Sequence, residues 1–88
     1  MNKSAELKLR LLTSKYSQYN RFYQQIKDKY TDDRRLFQNM YEKLLEAVCF
    51  MGGVENNFVW VAFNEQFNKD LKQMDEIIAR FEKIEKAA

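Results

Sequence analysis

The chain has 88 residues, a net charge of +2 and 45% hydrophobic residues. This length suits a single domain spanning residues 1–88, and the hydrophobic content is too high for a disordered chain. The sole cysteine excludes an intrachain disulfide and is typical of a reducing compartment, so we expect a cytoplasmic protein. We also expect no signal peptide and no membrane span, because no run of about 20 apolar residues is present.

The composition disfavours catalysis. There is no histidine, so neither a catalytic triad nor an imidazole base can be built. Cys49 lies in an apolar run, which predicts a buried, inert thiol. No phosphate-binding glycine loop, zinc spacing or calcium loop is found. We therefore predict a non-enzymatic protein with no cofactor, no metal and no small-molecule substrate.

The first predicted element is a helix over about residues 3–30. Its apolar residues alternate in steps of three and four, as in a helix that packs along one seam of a coiled coil. The seam residues are Leu9, Leu12, Tyr16, Tyr19, Tyr23, Ile26 and Tyr30. The absence of proline, with only two glycines in the chain, favours long helices.

The stretch "YTDDRRLF", residues 30–37, allows two interpretations. The apolar repeat continues in phase through Asp33, so one helix could run to residue 51 and form a long two-helix hairpin that dimerises. Local chemistry instead favours a turn, because Thr31 can cap a helix and Asp32 with Asp33 would stabilise its first turn. We predict the turn, followed by a second helix at about residues 32–51 that is capped by Thr31.

Gly52 and Gly53 are expected to end the second helix, one of them in the left-handed conformation. A third helix is predicted over about residues 55–86, with Asn56 or Asn57 helping to start it. The predicted fold is therefore all-α, an antiparallel three-helix bundle. It would place the leucine-rich N-terminus beside Gly52 and the tyrosine-rich end of the first helix near Phe37.

Residues 47–63, "AVCFMGGVENNFVWVAF", contain more apolar side chains than one helical face can bury. One interpretation is that the N-terminal leucines cover this segment. The other is an exposed apolar surface that binds a protein partner. The candidate partner-binding residues are Phe50, Met51, Val54, Phe58, Trp60 and Val61.

The predicted function is a small protein–protein interaction module of the inhibitor, adaptor or escort (chaperone) type. A structural homodimer is one alternative. A nucleic-acid-binding module is the other, because residues 1–35 carry nine Lys/Arg and four Asp/Glu, giving +5, while residues 36–88 carry six and nine, giving −3. Basic and aromatic residues alternate in the first helix, as in some single-strand binders. The candidate nucleic-acid-binding residues are Lys15, Arg21, Lys29, Arg34 and Arg35.

Overall fold

The computed structural model describes residues 3–53 and 57–87. Three helices follow in chain order: α1 (Lys3–Ile26), α2 (Thr31–Met51) and α3 (Asn57–Ala87). Each helix packs against the other two, in a bundle that measures 47 × 18 × 18 Å. The three-helix bundle predicted from the sequence is confirmed. The alternative of one helix running on to residue 51 is not seen, because the chain turns at residues 27–30 and residues 31–37 already belong to α2.

The core contains the seam predicted for the first helix together with apolar residues of all three helices. In α1, Leu12, Tyr19 and Tyr23 are buried, and the other seam residues pack partly buried against them. The four tyrosines of the seam therefore pack in or against the core. Tyr16 and Tyr19 stack on rings of α2, and Phe81 of α3 meets tyrosine rings edge-on. The buried residues are Ala5, Leu12, Tyr19, Phe22, Tyr23, Phe37, Leu44, Val48, Met51, Phe67, Leu71, Met74, Ile77, Ile78 and Phe81.

The turn between α1 and α2 covers residues 27–30, so it is longer and begins earlier than the predicted break near residue 31. α1 ends at Ile26, and the Lys29 N–H donates to the Ile26 carbonyl at 3.0 Å. The prediction that Thr31 caps α2 is wrong: the cap position belongs to Tyr30, with no side-chain capping bond. Thr31 is already helical, and its hydroxyl turns back to donate to the Lys27 carbonyl at 3.5 Å.

The glycines after α2 also differ from expectation. Gly52 has φ −59° and ψ −22°, which is right-handed, and neither glycine has a positive φ. The left-handed cap predicted here is therefore wrong. The Gly52 N–H donates to the Val48 carbonyl at 3.0 Å and the Gly53 N–H to Phe50 at 3.2 Å. The first bond continues the α-helical pattern and the second, which spans three residues, tightens the final turn, so the chain leaves α2 without a left-handed residue.

The start of α3 tests the prediction that Asn56 or Asn57 helps to begin the third helix. Asn57 is the first helical residue of α3, and the capping prediction for Asn56 falls outside the described residues. None of the helices in the described ranges combines the length and the apolar character that crossing a bilayer requires.

Candidate protein-binding end of the bundle

The start of α1, the end of α2 and the start of α3 meet at one end of the bundle, because consecutive helices run antiparallel. We call this end, formed by residues 3–11, 47–53 and 57–63, the open end. Among the described residues, seven large hydrophobic side chains are exposed, and six of them lie at the open end. The six are Leu7, Leu11, Phe50, Phe58, Val59 and Val61; the seventh, Leu36, is in α2 near its start.

The start of α3 extends beyond the first described residue of α1. Side-chain contacts join residue 8 to residue 67, residue 15 to residue 75 and residue 19 to residue 81, an offset of about 60 positions. At this offset Lys3, the first described residue of α1, is level with Phe63. The six residues 57–62 therefore extend about 9 Å past the level of Lys3, at 1.5 Å per residue, and we call them the overhang.

This overhang is apolar on more than one face. Phe58 is 88% exposed and Val61 is 56% exposed, and residues 57–64 contain no charged side chain. Trp60 and Phe63 are on the inner face and are partly buried, with ring centroids 5.4 Å apart. A free surface helix keeps a polar outer face, so the first two turns of α3 have the composition of a helix that is covered.

The structure separates the predicted partner-binding residues into three groups. Phe50 (68% exposed), Phe58 and Val61 are at the surface of the open end, as expected. Trp60 is partly buried against the core, so it supports the overhang more than it presents a surface. Met51 is only 5% exposed, because it shares the inner face of α2 with Val48, and it must be removed from the candidate surface. Val54 lies outside the described residues.

Sequence reasoning missed the exposed residues of α1. The N-terminal leucines were expected either to cover the open end or to leave it exposed. In the structure some of them pack against the core and others remain exposed. Leu12 is fully buried and Leu9 packs against the core, whereas Leu7 and Leu11 are exposed. The signal was present: Leu7 and Leu11 are four positions apart, on one face of α1, and both lie off the seam.

Cys49 is exposed, so the prediction of a buried thiol is wrong. The core positions at the end of α2 are held by Val48 and Met51, which are three residues apart on one face. Cys49 lies between them in sequence and is turned about 100° around the helix from Val48. An apolar neighbourhood in sequence therefore did not mean a buried position.

Charges of both signs surround the open end. Lys3, Glu6 and Arg10 line a depression with Leu7 at the start of α1. Lys8 lies over the Phe67 ring, 5.1 Å from its centroid, and covers apolar surface with its side chain. Glu46 and Glu65 are exposed on α2 and α3. The outer edge of the open end is therefore mixed in sign, around a centre without charge.

The candidate nucleic-acid-binding residues do not form one stripe. Lys15 is paired with Asp75 of α3. Arg21 and Arg34 lie over aromatic rings, those of Phe22 and Tyr23, at 4.7 and 5.0 Å. Since Lys15 and Arg21 are six positions apart on α1, they point about 120° apart around the helix.

The two remaining candidates, Lys29 and Arg35, are exposed near the turn between α1 and α2. Lys29 lines a depression there together with Arg80 and with the carboxylates of Asp32 and Asp33. Nearby acidic groups reduce the attraction of this region for a phosphate backbone. Within residues 3–53 and 57–87, no cluster of three or more His, Cys, Asp or Glu side chains could hold a metal ion.

Comparisons of this chain with protein-family models, with curated proteins and with solved structures found no match.

Proposed function

We propose that the protein is a non-catalytic binding module whose open end docks onto an apolar surface of a protein partner. It would act as an inhibitor, adaptor or escort by occupying that surface. The observation that carries the proposal is that six of the seven large hydrophobic side chains exposed among the described residues lie at one end of the bundle. Exposed apolar patches of this kind are typical of protein-binding surfaces.

The two exposed phenylalanines are large enough to anchor such a contact. Phe50 and Phe58 are 68% and 88% exposed. With about 200 Å² per aromatic side chain, they leave on the order of 300 Å² of apolar surface in water. Burying that area is worth about 7 kcal/mol before the costs of association are subtracted. A few anchors of this size can supply most of the affinity of an interface.

A photo-crosslinking amino acid at position 58 tests the proposal. In cells that produce the protein, we expect one or a few discrete protein adducts, which mass spectrometry identifies. The same crosslinker at position 36 is the matched control, because Leu36 is also exposed but lies away from the open end. It should give none of those adducts.

The identified partner is then purified and titrated against variants. Phe58→Asp should weaken binding at least tenfold, since it places a charge in an apolar contact, while Leu36→Asp should leave the affinity unchanged. Equal affinity for Phe58→Asp and the wild type, with the helical circular dichroism intact, would contradict the proposal. Nucleic-acid binding stays an untested prediction.

A further inference from the structure

We draw no further inference here: the strongest candidate, the apolar surface patch at the open end of the bundle where Phe50, Phe58 and Val61 are exposed, carries none because nothing in the structure shows what covers it.

Discussion

The two ends of this bundle differ in how much of their apolar surface is buried. At one end, which we call the closed end and define by residues 19–37 and 77–84, aromatic rings from all three helices contact one another. At the open end, large hydrophobic side chains remain in water. Side chains of the three helices therefore bury one another at the closed end, whereas the same helices leave large hydrophobic side chains exposed at the open end.

The closed end is dense because its rings interlock. Tyr19 stacks on Phe37 with ring centroids 3.8 Å apart and meets Phe81 edge-on at 5.2 Å. Tyr23 and Tyr30 approach the same Phe81 ring at 6.5 and 5.7 Å. Polar contacts cover this cluster, including an Arg80–Asp33 ion pair at 3.2 Å. The interactions join all three helices, so this end carries much of the stability of the fold.

The largest expected difference between the ends is in the response to removal of one aromatic ring. Phe37→Ala should lower the free energy of unfolding by about 3–5 kcal/mol, because Phe37 is fully buried and its loss leaves a cavity among the rings. Urea unfolding followed by circular dichroism measures the change.

Phe58→Ala is the matched control at the open end. It removes the same atoms from a side chain that is 88% exposed, so the change in monomer stability should stay within about 0.5 kcal/mol. The two variants are compared at a concentration where the protein is monomeric. If both variants lost a similar free energy of unfolding, the two ends would be equally well packed, which would contradict the difference described above.

Sequence reasoning predicted the closed end well. Steps of three and four residues identified the seam. The charges around residue 31 predicted that the chain turns near there, although the turn lies slightly earlier, at residues 27–30. The tyrosines were correctly assigned to the core because apolar spacing reports which face of a helix is covered. The caps of α2 were not predicted correctly. The Thr31 hydroxyl donates to the Lys27 carbonyl instead of capping the helix, and the Gly52 N–H donates to the Val48 carbonyl in a right-handed conformation.

The open end was predicted less well, for a physical reason. Where every residue in a run is apolar, composition does not say which one faces inward. Met51 proved buried while Cys49 and Phe50 proved exposed, because the face of α2 is set upstream by Leu44 and Val48. Extending the seam by three and four from Leu44 reaches Val48 and Met51, so this phase could have been read from the sequence. The overhang of α3 depends on the register between helices, which spacing within a helix does not determine.

A smaller and opposite effect is expected at the closed end from Tyr19→Phe. The Tyr19 hydroxyl is buried without a hydrogen-bond partner, which costs free energy in the folded state. Its removal should raise the free energy of unfolding by about 1 kcal/mol at neutral pH. Tyr23→Phe is the control, since its ring is also buried but its hydroxyl is not among the buried unpartnered atoms of the described residues, and we expect no gain.

The same variant should change the alkaline behaviour. Burial, followed by the nearby Tyr23 and Asp33, raises the pKa of Tyr19 above its ordinary value of 10.0. Above that pH the unfolded chain loses a proton that the folded chain keeps, so stability falls as pH rises. The advantage of Tyr19→Phe should therefore grow by up to about 1.4 kcal/mol per pH unit above pH 10.0. A pH-independent difference between the two proteins would contradict this assignment.

The smallest expected effect concerns the charges that cover the closed end. Asp32 and Asp33 are neighbours in the first turn of α2, where both carboxylates interact favourably with the positive end of the helix dipole. Asp33 also accepts a hydrogen bond from Arg80 of α3, an interaction between helices. Asp33→Asn should cost about 1 kcal/mol and Asp32→Asn about 0.5 kcal/mol, so their difference isolates the contact to α3. Thermal unfolding of the two variants measures this difference in stability.

The difference should become smaller at high salt than at low salt, because Arg80 is largely exposed and salt screens its charge. Equal losses for the two variants would show that the rings alone hold α3 at the closed end, without help from the ion pair above them.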